Sequence, residues 1–228
     1  MVFILVLLTV AVFITVDYFL RREERAIKEA EKKKKAPIFL SPEKALLPLK
    51  EKGSRLFHPS HSWVQKGEEN VYYIGFDDLI SFLFSDQIRL KDLPLVGSYI
   101  PQGCRIWEVT INGHSISQLS PISGKVVDIN PACCLDIPLP SGQVEKSWIL
   151  KVKADRFKEE ANNLISDTQA AMMNSTIRDE IFSQAVQGHY INDGGKLAPE
   201  FVEKMPEEDW KKFIHNYFPY QEKMLSNY

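Results

Sequence analysis

Cysteine is scarce in this chain. Only Cys104, Cys133 and Cys134 occur, and no CxxC or HxxxH spacing accompanies them. Three cysteines of that distribution build neither a disulfide framework nor a zinc site. Cys133 and Cys134 are neighbours, so a bond between them would be strained; burial as free thiols is the commoner fate, and a redox role stays open at this level. Phosphate-binding loops, a nucleophile elbow and paired catalytic carboxylates are also missing. No catalytic, cofactor-binding or metal-ligating residue is therefore assigned, and a non-enzymatic protein is expected. A net charge of −2 supplies no global attraction to nucleic acid, and none is expected as a partner.

What the N-terminus does have is an apolar run. Residues 1–20 read MVFILVLLTVAVFITVDYFL, with Asp17 as the only charge. At about 1.5 Å per residue, about 20 residues span a hydrocarbon core of roughly 30 Å. No basic residue precedes the run and no small-x-small site follows it, which favours an uncleaved transmembrane helix over a signal peptide. Arg21, Arg22 and Arg25 flank the run, and Lys28 and the lysines at 32–35 follow. The positive-inside bias then predicts a single-pass membrane protein that contacts the lipid bilayer through residues 1–20. Its N-terminus is outside, its main domain cytoplasmic, and Arg21, Arg22 and Arg25 lie at the membrane flank. Residues 21–60 read as a charged juxtamembrane segment and linker, because Pro37, Pro42, Pro48, Gly53 and Pro59 exclude a long helix.

Beyond the linker the text acquires strand character. Short apolar or alternating runs occupy 71–76, 105–111, 125–129 and 147–152, separated by Gly, Pro and Asn signals, as in a small sandwich or barrel. Residues 77–84 (DDLISFLF) interrupt them as a short helix, with Asp77 or Asp78 as its cap. Trp63, Trp107 and Trp148 read as core or half-exposed aromatics. From Ala154 the period becomes helical: Phe157, Ala161, Leu164 and Ile165 share one face, and Ile177, Ile181 and Phe182 another. Residues 207–218 (EEDWKKFIHNYF) form a last amphipathic helix with Trp210, Phe213, Ile214, Tyr217 and Phe218 as its stripe.

A set of short motifs follows one another in order: His61-Ser62-Trp63-Val64, Tyr73-Ile74-Gly75-Phe76, Asp92-Leu93-Pro94, Val96-Gly97 and Glu108-Val109. Then come Ser120-Pro121-Ile122-Ser123-Gly124-Lys125-Val126-Val127, Asn130, and Ser147-Trp148-Ile149-Leu150-Lys151-Val152. In this order and spacing, residues 61–165 resemble the glycine cleavage H protein. The resemblance implies a flattened β barrel of the lipoyl/biotinyl type. With the flanking segments, the expected class is α+β: a transmembrane helix at 1–20, a linker at 21–60, the barrel domain at 61–165 and a helical extension at 166–228.

The resemblance also implies a hairpin whose tip presents a lysine carrying lipoate. Here the hairpin reads EVTINGHSISQLSP, and no lysine occurs between Arg105 and Gly124. Asn112-Gly113 is a strong two-residue type I′ turn signal. The carrier role is therefore transferred to no residue and no cofactor is assigned. Asn112, Gly113 and His114 are singled out instead as a possible contact hairpin, although a lone histidine is more often a polar turn-flanking residue. The function expected is a membrane-anchored, H-protein-like interaction or structural subunit of a membrane complex, with a protein partner there. The alternative is a lipoyl carrier of glycine cleavage or lipoate metabolism. A periplasmic adaptor is disfavoured, since no heptad run is present.

Overall fold

A computed structural model describes residues 53–218, apart from 85–86, 112, 136, 193–194, 196 and 199. Backbone contacts divide the chain into Met1–Leu40 and Ser41–Tyr228, and every described residue belongs to the second unit.

Two antiparallel sheets make the framework. The larger contains β1 (Arg55–His58), β2 (Ser62–Lys66), β3 (Val71–Phe76), β5 (Tyr99–Ile100), β8 (Gly124–Ile129), β10 (Leu150–Ala154) and β11 (Ile165–Ser166). Its strand order is β11-β1-β2-β3-β10-β8-β5. The smaller contains β4 (Gln87–Lys91), β6 (Arg105–Ile111), β7 (His114–Leu119) and β9 (Leu139–Pro140), in the order β7-β6-β4-β9. The apolar residues alternate as a half-buried pleat demands. Ile88 and Leu90 of β4 point inward while Gln87, Arg89 and Lys91 stay exposed. Tyr72, Ile74 and Phe76 of β3 are buried, and Val126 of β8 lies in the same apolar cluster as Ile106, Val109 and Ile116. Trp63, Trp107 and Trp148 are all core residues. Trp63 is fixed by an indole N–H that donates to the Phe76 carbonyl at 2.7 Å and by Arg55 lying over its ring.

The short helix after β3 is α1 (Asp78–Leu83), and Asp77 is its cap, accepting from the Leu79 amide at 3.1 Å. Asp77 does more than cap. Its other carboxylate oxygen accepts from His61 Nδ1 and from the Asn174 side-chain amide, both at 2.9 Å. Asn174 also donates to Asp78, and Arg178 pairs with Asp78 at 2.6 Å. This polar knot, buried at His61, Asp77 and Asn174, joins the loop before β2 to the start of α1 and to the long helix α4 (Asp167–Gln187).

Three shorter helices lie along the chain: α2 (Ser141–Val144), α3 (Phe157–Glu160) and α5 (Glu200–Glu203). The segment expected to run helically through Ile165 does not. Phe157 stacks on Tyr72 at 4.3 Å, a 3-10 turn spans Ala161–Asn163, and Leu164 is extended. Ile165 then pairs with Phe57 as part of β11. Edge pairing outweighs the helical spacing, and Ser166 starts α4 afresh with a capping box to Gln169. Likewise β10 begins at Leu150, because residues 147–149 form its approach: the Ser147 amide closes a turn on Val144, and Asn130 holds the Trp148 carbonyl. The last helix, α6 (Glu207–Tyr217), buries Trp210, Phe213 and Tyr217. Together with Phe218 they join the apolar cluster of the sheets.

The expected membrane placement is not upheld. Among the described residues no helix is long and apolar enough to cross a membrane. The 21-residue α4 has the length but carries Asp167, Arg178, Asp179 and Glu180. The run at 1–20 and the flanking Arg21, Arg22 and Arg25 lie outside the described residues.

Candidate functional site

The hairpin of β6 and β7 carries the residues singled out from the sequence. Ile111 pairs with His114, leaving the two-residue connection 112–113. Asn112 lies outside the described residues. Gly113 is exposed at φ +94°, and a Cβ there would meet nothing within 4 Å. A glycine suits this backbone because a side-chain-bearing residue pays a steric cost at positive φ.

Cross-strand register sorts the hairpin into two faces. Trp107 faces Gln118, Val109 faces Ile116, and Ile111 faces His114. The first two pairs lie on the inner face, where Trp107, Val109, Ile116 and Gln118 are fully buried. Glu108 opposite Ser117 and Thr110 opposite Ser115 form the outer face. That face carries a groove of about 520 Å³, lined by Arg89 and Lys91 of β4 and by Glu108, Thr110 and Ser115. Glu108 is held by Arg105 at 3.1 Å, and Arg105 also pairs with Asp92.

His114, read from sequence as a residue beside an exposed tip, is only 8% exposed. Trp210 of α6 lies over its imidazole, with ring centroids 4.5 Å apart. This is a correction with a plain cause: the covering ring comes from a helix almost a hundred residues downstream, and no local pattern announces it. His114 Nδ1, Trp107 Nε1 and the Gln118 amide have no hydrogen-bond partner among the described residues. Phe218 approaches His61 edge-on at 5.0 Å, so the C-terminal segment reaches both His114 of β7 and the loop before β2. Sequence reasoning did not assign His61, Asp77 and Asn174 to one cluster. Asp77 was legible as a cap, whereas Asn174 in mid-helix gave no signal.

The remaining chemistry is quiet. All three cysteines are free. Burial, with Cys134 beside it, pushes the Cys133 thiol up to about 12, so it stays protonated at neutral pH. Burial and the neighbouring His61 lower His58 to about 4. Its Nδ1 accepts from the Ser60 amide at 3.1 Å and lies 2.8 Å from the Ser60 hydroxyl, an arrangement suited to the neutral ring. Among the described residues no group of three or more His, Cys, Asp or Glu side chains is placed to hold a metal ion.

A covalently carried group needs a reachable amine, and the hairpin residues do not fit that need. The tip position is a glycine, and the lysine-free stretch runs from Arg105 to Gly124. Lys91 is the last residue of β4, opposite Glu108. Lys125 is exposed on β8, opposite Tyr99 and Lys153.

Comparison with known proteins adds the family. The model of the glycine cleavage H-protein family matches residues 55–177. The glycine cleavage system H protein of Edwardsiella ictaluri (strain 93-146) is 30% identical over 100 residues, covering 42% of this chain and 75% of that protein. The corresponding protein of Alkaliphilus oremlandii (strain OhILAs) is 31% identical over 116 residues, covering 51% of this chain and 89% of that protein. A crystal structure of a glycine cleavage system H protein from Mycobacterium marinum aligns with 55% of this chain and 99% of that chain, at 19% identity and a TM-score of 0.39. Neither these relatives nor the described residues support contact with a lipid bilayer, and α6 lies outside the matched region. The match at residues 55–177 takes in more than half of the chain, from β1 through the hairpin to the first half of α4, and by it the chain belongs to the glycine cleavage H-protein family.

Proposed function

We propose that this chain is a non-enzymatic H-protein module that is docked upon by proteins of a glycine-cleavage type system and carries no lipoyl group on its hairpin. The observation behind this reading is Gly113: exposed, at positive φ, at the tip of the β6–β7 hairpin, with no lysine from Arg105 to Gly124. A hairpin without an amine keeps its shape as a recognition element and loses the tether for a swinging arm. Its outer groove, with Arg89, Lys91 and Glu108, gives a partner polar groups to read. In this reading the protein partner expected from sequence is a glycine cleavage protein rather than a member of a membrane complex.

A second reading has its own support. The relatives are named glycine cleavage system H proteins. Family membership taken alone favours a lipoyl carrier over a structural subunit of a membrane complex. In that reading another exposed lysine, such as Lys91 or Lys125, bears the group.

A reconstituted glycine cleavage assay separates the two. With this chain as the sole H component, the docking-module reading expects no turnover. Added in excess to a system containing a functional H protein, the chain should inhibit competitively, because it occupies the docking sites without an arm. Turnover with this chain alone would establish the carrier reading. Absence of both turnover and competition would refute docking.

A further inference from the structure

The larger sheet ends in an edge that is dressed unlike an ordinary turn. Residues 95–98 close a tight turn, in which the Ser98 amide and hydroxyl both donate to the Leu95 carbonyl, at 3.0 Å and 2.6 Å. Gly97 stands at φ +92°, as the third position of a type II turn requires. The Gly97 amide donates to the Val126 carbonyl at 2.8 Å, and the Val126 amide donates back to Ser98 at 2.9 Å, so the turn is tied to β8. Turn apices usually carry small or polar residues. This one carries Leu95 and Val96, which are 79% and 59% exposed, and Tyr99 just beyond is 53% exposed.

The sheet face beside the turn is cationic. Tyr99 stands opposite Lys125, and Lys125 stands opposite Lys153 on β10. Like charges placed directly across a ladder are unfavourable. Lys151 on the same strand is neutralised by Asp128 at 2.8 Å, whereas Lys125 and Lys153 have no ion-pair partner among the described residues. A rigid apolar knob beside two uncompensated ammonium groups costs the isolated fold something and is complementary to one kind of surface.

We propose that the turn at 95–98, with Tyr99, Lys125 and Lys153, is a docking surface for a protein partner that offers an apolar pocket rimmed by carboxylates. Leu95 and Val96 enter the pocket, and the lysines pair with the rim. Charge complementarity selects this occupant: a basic partner is repelled by the lysine pair. The surface lies on the larger sheet, apart from the hairpin of the smaller one, and is independent of whether any lysine is lipoylated.

The test uses isotope-labelled full-length protein and two synthetic probes. One is an acidic peptide in which Asp and Glu flank a Leu-Phe core; the other has the same core flanked by Lys. The acidic peptide should give saturable amide shifts at 95–99, 125–127 and 153, weakened several-fold by raised salt. Lys125→Glu with Lys153→Glu should weaken its binding at least tenfold, and Leu95→Asp should do the same. Both variants should unfold at the wild-type temperature, since these side chains are exposed. Shifts caused equally by both peptides, shifts elsewhere, or none with the acidic peptide would overturn the proposal. So would concentration-dependent dimerisation abolished by Leu95→Asp, because the occupant would then be a second copy.

Discussion

Replacing Asp77 by alanine removes one carboxylate and three interactions at once. The Leu79 amide loses its cap, and His61 Nδ1 and the Asn174 amide lose an acceptor in a site where all three side chains are buried. Loss of a cap costs about 1 kcal/mol. Each buried donor left without a partner costs about 1–3 kcal/mol, and Asn174 stands at the low end because it keeps Asp78. The sum is about 3–5 kcal/mol, a large share of the stability of an ordinary domain. Asp77→Asn keeps volume and cap, but one oxygen cannot replace a carboxylate oxygen that accepts from two donors, so it should cost about 1–2 kcal/mol. Urea unfolding of the wild type, both variants, Asn174→Ala and the double variant Asp77→Ala/Asn174→Ala supplies the energies. The slope with urea should be unchanged, and the coupling between Asp77 and Asn174 should be about 1 kcal/mol or more. A loss below about 1 kcal/mol for Asp77→Ala, or additivity with Asn174→Ala, would refute the idea that this knot fastens α4 to the sheets.

Two other outcomes follow from the same geometry. His58 is lowered to about 4 by burial and by His61, below its unfolded value, so its neutral form favours the fold. Stability is full above pH about 6.5 and is lost as the pH falls toward 4, by about 2–3 kcal/mol. His58→Asn should flatten that part of the curve in unfolding titrations, and parallel curves for the two proteins would count against the assignment. Trp210 covers His114 and stacks on Phe213 at 5.5 Å, so Trp210→Ala should cost about 3 kcal/mol. It should also speed amide exchange along β7; protection unchanged at residues 114–118 would show that α6 does not cover the hairpin.

The parts of the fold legible in the sequence are those governed by neighbours along the chain. Val71–Phe76 and Arg105–Ile111 emerge at their sequence boundaries, because alternating apolar residues leave a strand no other burial. The cap at Asp77 and the stripe of α6 follow from spacing alone. The two-residue connection at 112–113 was legible for the same reason, since Asn-Gly suits both backbone positions. What failed depends on partners distant in sequence. Ile165 is drawn into β11 by Phe57, more than a hundred residues upstream. His114 is buried by Trp210, and Asn174 is a buried amide in a helix whose exposed positions look much the same. The membrane placement read from residues 1–20 finds no support in any described helix.

The direct measurement is the intact mass of the full-length protein after incubation with lipoate, ATP and a lipoyl-attaching enzyme that modifies a glycine cleavage H protein in parallel. With Gly113 at the tip and no lysine from Arg105 to Gly124, the mass should stay that of the bare polypeptide while the control is fully modified. A lipoyl adduct on Lys91, Lys125 or any other lysine would contradict the docking-module reading and make this chain a carrier.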